Sequence, residues 1–132
     1  RTELTKNPKV YFCDTGLRNY VLSDFRPLFD RNDLGALMEN YAFSLLSRRY
    51  TLPSAIKYWR TKSKAEVDFI IEEGSVPYPF EVKYTSKKVI GKSLYSFIEK
   101  FHPHVAVVFT KDFTGEAHVS DTHLKFVPLP YY

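Results

Sequence analysis

The chain is sparing with the residues that tie small proteins together or loosen them: it has one cysteine, Cys13, and five glycines in 132 residues. A single cysteine excludes an intramolecular disulfide and a cysteine-rich zinc site, and points to a reducing compartment such as the cytoplasm. Long apolar runs are absent too. The longest extends only from Val105 to Phe109, far short of the ~20 residues that a membrane-spanning helix needs, so a soluble protein with no membrane partner is expected. The start carries none of the charged, apolar and small-residue zones of a signal peptide. Neither an internal repeat nor a low-complexity tract occurs.

What is present is apolar and aromatic. Hydrophobic residues make up 44% and aromatics 17%, with 10 Tyr and 11 Phe, which excludes a disordered tail, a collagen-like repeat and a polar linker. The length suits one domain with a single core. Nineteen Lys and Arg against fifteen Asp and Glu give a net charge of +4, a mild lean toward anionic partners that does not by itself establish nucleic-acid binding. The first residue is Arg1 rather than Met, and the polar stretch to Pro8 reads as a linker into a single domain over 9–132.

Periodicity supplies the element order. Lys9 to Cys13 is a short β-prone run, and Asp14 can cap a helical turn carrying Leu17, Tyr20 and Val21. The first long helix is expected from about Gly35 to Tyr50, on an apolar stripe that includes Leu34, Met38, Tyr41 and Leu45, with Glu39 at its margin. Strands are expected at Ile56–Arg60, Glu66–Glu72 and Tyr78–Tyr84, then a helix at Val89–Phe101. Val105–Phe109 has the continuous apolar character of a buried parallel strand. A last strand at Phe126–Leu129 is expected at an edge, because Pro128 and Pro130 lack ladder donors. The order helix, three strands, helix, strand implies an α/β fold with a mixed central sheet flanked by helices.

The chemistry concentrates in the second and third strands. Strict alternation puts Val67, Phe69 and Ile71 on one face and Asp68 on the other; in the next strand Phe80, Val82 and Tyr84 share a face opposite Glu81 and Lys83. Gly74-Ser75 is a two-residue hairpin signal. Pairing from that turn brings Asp68 opposite Glu81, with Pro77 and Pro79 weakening the ladder between them. Two facing carboxylates repel unless one is protonated or a cation sits between them. A divalent cation held by Asp68 and Glu81, with Lys83 near an attacking water, would make this face useful, and hard oxygen ligands favour Mg²⁺ or Mn²⁺. The plain alternative is an ordinary charged face of a half-exposed sheet.

In that order, Glu39 on a first helix, Asp68 in a strand and Glu81-Val82-Lys83 in the next resemble the motifs of the PD-(D/E)XK nuclease superfamily, whose restriction-endonuclease-like core is αβββαβ. Val67 stands where the name-giving proline would be. The longer phrases, among them Lys9-Val10-Tyr11-Phe12-Cys13-Asp14-Thr15-Gly16-Leu17, Leu34-Gly35-Ala36-Leu37-Met38-Glu39-Asn40 and Tyr58-Trp59-Arg60-Thr61-Lys62, resemble the C-terminal domain of unknown function of a prokaryotic AAA-type ATPase family. That resemblance implies an ATPase module and a winged-helix segment upstream, with ATP bound only there. This chain has no Gly-x-x-x-x-Gly-Lys-Ser/Thr sequence with which to bind it.

The nuclease resemblance implies metal-assisted phosphodiester hydrolysis, with Asp68, Glu81 and the Val82 carbonyl holding the metal, Glu39 supporting it, and Lys83 orienting water or stabilising transition-state charge. Two acid-free basic runs suit DNA: Lys57, Arg60, Lys62 and Lys64, then Lys83, Lys87, Lys88 and Lys92. From these, Arg60, Lys62, Lys64, Lys87, Lys88 and Lys92 are the expected phosphate contacts; the plain alternative is a solvated rim of loops. The competing function is a non-catalytic nucleic-acid- or protein-interaction domain of the same ATPase. A histidine-based hydrolase is disfavoured: His102 and His104 flank a helix end, and His118 and His123 fall in what reads as a late loop. Cys13 reads as a small buried residue of the first strand, and Trp59 as a core anchor rather than a base-stacking platform.

Overall fold

The computed structural model describes residues 9–50 and 56–131. The expected linker over residues 1–8 lies outside the described residues. Helix α1 covers Thr15–Leu22 and α2 covers Leu34–Arg49, with a 3₁₀ turn at Leu28–Asp30 between them. Strands β1 (Ile56–Arg60), β2 (Glu66–Glu73) and β3 (Val76–Val82) follow, then α3 (Lys92–Phe101), β4 (Val105–Thr110), β5 (Gly115–Val119) and β6 (Thr122–Pro128). The six strands form one sheet in the order β1-β2-β3-β4-β6-β5. β3, β4 and β6 run parallel, while β1, β2 and β5 pair antiparallel with their neighbours. This is the expected mixed sheet flanked by helices.

The two helical layers follow from where each stripe can be buried. Leu37, Met38, Ala42 and Leu46 of α2 pack with Phe69, Ile71, Phe80, Val107 and Phe109 on one face of the sheet. Leu94, Phe97 and Ile98 of α3 pack with Val67, Ile70, Ala106, Val108 and Phe126 on the other. β4 therefore contributes to both cores, which is why it reads as an unbroken apolar run rather than an alternating one. Trp59 anchors the edge of the α3 layer, edge-on to Phe97 at 5.4 Å and to Phe101 at 6.1 Å. Among the described residues no helix is long and apolar enough to cross a membrane.

The hairpin between β2 and β3 has the expected register from Glu73↔Val76 to Phe69↔Phe80, with Gly74 at φ +68° in its turn. Alternation from that turn places Pro77 and Pro79 at non-hydrogen-bonded positions opposite β2, and β3 joins β4 only from Phe80 onward. The missing proline donors therefore interrupt neither ladder.

Five expectations are corrected. Lys9–Cys13 is not a strand, because its backbone bonds a side chain: Phe12 N–H donates to Asn40 Oδ1, and Asn40 Nδ2 donates to Phe12 O, both at 2.9 Å. Cys13, where this segment bends toward α1, is exposed; Asp14 caps that helix as expected, accepting from Leu17 N–H at 2.9 Å. The third helix begins at Lys92 rather than Val89, behind an N-cap at Gly91. The last strand is interior, since Gly115–Val119 pairs along its outer side; Pro128 occupies its final position, where the ladder ends. His118 and His123 lie on this last hairpin, stacked at 4.9 Å, and not in a loop.

Candidate active site

The site is built on an interruption in β2. Lys57 pairs with Ile70 but Trp59 pairs with Val67, so Tyr58 alone faces both Asp68 and Phe69. Such a bulge turns side chains away from strict alternation. Val67 consequently faces α3 while Phe69 and Ile71 face α2, correcting the expectation that all three share one face. The β2–β3 ladder stops at Phe69↔Phe80, one step before Asp68 and Glu81 would pair. Freed from alternation, the Asp68 carboxylate bends toward β3, and its Oδ2 accepts from Val82 N–H at 2.8 Å.

A cavity of about 300 Å³ opens there, lined by Glu39, Glu66, Asp68, Glu81, Lys83 and Lys92. All four residues read as catalytic, Glu39, Asp68, Glu81 and Lys83, are thus brought to one place. Glu81 is buried, with Lys83 Nζ 3.8 Å from its Oε1. Its Oε2 has no hydrogen-bond partner among the described residues, an unusual state for a buried carboxylate oxygen. Burial pushes the Glu81 carboxyl up, against the opposing pull of Lys83 and a hydrogen bond from Gly91 N–H. Burial likewise raises the Asp68 carboxyl to about 7; the Val82 N–H opposes that rise, while Glu39 and Glu81 add to it.

Gly91 is a part of the site that sequence reasoning missed. A Cβ there would stand 3.1 Å from Glu81 Oε1, 3.3 Å from Oε2 and 3.4 Å from Lys83 Cε, so glycine lets the α3 N-terminus close over the acid. The available signal was a glycine just ahead of the apolar stripe, where an N-cap belongs.

Lys9, Tyr11 and Glu66 were missed as well. Lys9 Nζ bonds Glu39 Oε1 at 3.0 Å and also contacts Glu66 Oε1, and Tyr11 OH donates to Glu39 Oε1. Arg60 Nε lies 3.4 Å from Glu66. Burial works against the charge on Lys9, but its bonds to Glu66 and Glu39 outweigh this and raise its pKa. Burial and Glu39 hold the Tyr11 hydroxyl protonated far above the usual tyrosine range. No pattern within one element marks this group, because its members come from the N-terminal segment, α2, β1 and β2.

The basic runs divide. Lys92 joins Lys83 at the cavity, and Arg60 borders the neighbouring hollow beside Glu39 and Glu66. Lys62, Lys64, Lys87 and Lys88 are exposed and do not line the cavity. Lys57 is bound to Glu72 across β1 and β2 at 2.6 Å.

All the oxygen donors are hard, and the unpartnered Glu81 oxygen is the kind of group a divalent cation satisfies, so the residues fit Mg²⁺ or Mn²⁺. They fit through two acids rather than three: among the described residues no group of three His, Cys, Asp or Glu could hold a metal ion.

Comparison with known proteins places this arrangement in a family. The profile described as "Domain of unknown function (DUF4143)" matches residues 34–132, and the chain belongs to that family. An uncharacterized protein of Mycobacterium bovis is 39% identical over 93 residues, covering 69% of this chain and 21% of its own length. An uncharacterized protein of Mycobacterium tuberculosis matches with the same figures. The chain thus spans about a fifth of the length of these curated relatives.

Proposed function

We propose that this chain is a metal-dependent phosphodiesterase domain of the PD-(D/E)XK type, acting on DNA as one module of an ATPase. The observation that carries the reading is the buried, unpartnered Glu81 Oε2 in a cavity shared with Asp68 and Lys83. The αβββαβ order of the core and the chain's small share of its relatives' length agree with it. A bound Mg²⁺ or Mn²⁺ would polarise the scissile phosphate and acidify its water. Asp68 and Glu81, with the Val82 carbonyl, would hold that ion. Lys83, next to Glu81 but about one-third exposed, reaches from the sheet into the opening, where it would orient the attacking water or stabilise charge building on the phosphate. Lys92 and Arg60, at the rim, would hold the DNA backbone by charge without reading sequence.

The test is cleavage of DNA with Mg²⁺ or Mn²⁺ against a chelator, in the chain and in the longer ATPase-containing protein. Metal-dependent cleavage that falls at least about 100-fold in Glu81→Ala and in Lys83→Ala is expected; equal activity in those variants overturns the assignment. The alternative is a non-catalytic nucleic-acid- or protein-interaction domain of the same ATPase. It draws support from the exposed apolar stretch that includes Leu17, Tyr20, Val21, Phe25 and Phe29, a concentration typical of docking surfaces. Normal DNA or protein binding with no cleavage by either protein would favour it.

A further inference from the structure

We propose that Lys9 is a built-in cation that takes the place of a second metal ion, so that the site holds one divalent ion, at Asp68 and Glu81. This inference rests on the metal-binding reading above and adds a stoichiometry and a positioning residue to it. Glu39, Glu66, Asp68 and Glu81 line one cavity, and four carboxylates so close need positive charge among them. Two of them already have it. Lys9 Nζ bridges Glu39 and Glu66, and Arg60 stands beside Glu66.

Lys9 is not a loose surface lysine that happens to fold over. Its side chain is only 23% exposed, and its ammonium lies 5.7 Å from the centre of the Tyr58 ring. The segment behind it is clamped three residues on, where both backbone groups of Phe12 bond the buried Asn40 amide. Between those points the Tyr11 ring stacks on Phe43 at 4.8 Å and 15°, and its hydroxyl shares Glu39 Oε1 with Lys9. The ammonium is therefore delivered to Glu39 by a fixed strap that closes over α2. Asp68 and Glu81 receive no such bridge: Asp68 has a backbone N–H, and Glu81 keeps an oxygen without a partner. An incoming ion would find that pair open and the Glu39–Glu66 pair occupied. In this arrangement Glu39 binds no metal; it anchors Lys9.

Calorimetric titration with Mn²⁺ at pH 8 tests this without reference to activity. The unmodified chain is expected to take one ion, Lys9→Arg one, and Lys9→Met two, the second filling the space between Glu39 and Glu66. Lys9→Gln serves in its place should Lys9→Met not fold, as judged by circular dichroism. Asp68→Asn is expected to abolish the single site of the unmodified chain. Two ions in the unmodified chain, or one in both neutral Lys9 variants, would overturn the role of Lys9 while leaving metal binding intact. No ion in the unmodified chain would overturn the metal-binding reading and this inference together.

Discussion

Glu39 and Glu66 share an ammonium, whereas Asp68 and Glu81, lining the same cavity, are left with backbone donors and one lysine at the edge of reach. The two pairs differ in how the fold compensates them rather than in residue type. The bridged pair behaves as structure: its charges are matched, and the segment bearing Lys9 is fastened by Asn40 and Tyr11. The open pair behaves as a site, because burial opposed only by a partly exposed lysine at 3.8 Å leaves a free-energy penalty that a proton or a cation can relieve.

The sharpest way to break this contrast is to neutralise the open pair. The Asp68 carboxyl, raised from its ordinary 3.8 to about 7, binds its proton more tightly in the folded than in the unfolded protein. The contribution of this group to stability should thus be highest below about pH 4, fall as pH rises toward 7, and level off above it. The raised Glu81 carboxyl contributes in the same direction. Asp68→Asn should then stabilise the chain by about 2 to 4 kcal/mol at pH 8 and by little at pH 4, read from urea unfolding at both values. Mn²⁺ should stabilise the unmodified chain at pH 8 and leave this variant unchanged; a stability difference between the two chains that is the same at pH 4 and pH 8 would dissolve the distinction between the pairs.

Loosening the bridged pair is expected to act in the opposite sense. Asn40→Ala removes both bonds to Phe12 and should destabilise by about 1 to 3 kcal/mol at every pH, with earlier amide exchange over residues 9–12. If stability is unaffected, the strap is not held as described. A smaller effect is expected at Gly91. An added methyl group would press on Glu81, which is buried and cannot yield freely; Gly91→Ala should cost about 1 kcal/mol and weaken Mn²⁺ binding. Smallest is Lys57→Ala, which breaks an ion pair in which both side chains are about half exposed. The expected loss is about 0.2 to 1 kcal/mol, shrinking as salt is raised.

Much of this was legible before any coordinates. The stripe of α2, the apolar run of β4 and the Gly74-Ser75 turn each carry their own local signal, and each element forms where that signal stands. Gly115–Val119 was not legible, because a strand mixing Gly, Glu, Ala and His has no period of its own and exists through pairing with β6. The bulge at Asp68 was equally hidden: Val67, Phe69 and Ile71 alternate as one face should, and only the mismatch between β1 and β2 splits them.

By itself the sequence determined the types of the two long helices and of the strands from β1 to β4, the hairpin register and the set Glu39, Asp68, Glu81 and Lys83, because period, turn chemistry and residue order are properties of neighbours along the chain. Only the tertiary structure decided which acids were compensated. That depends on Lys9 meeting Glu39 and Glu66 across 30 and 57 positions of chain, and on α3 bringing Gly91 against Glu81. Charge compensation is set by distance and burial, and both arise only when separate elements pack.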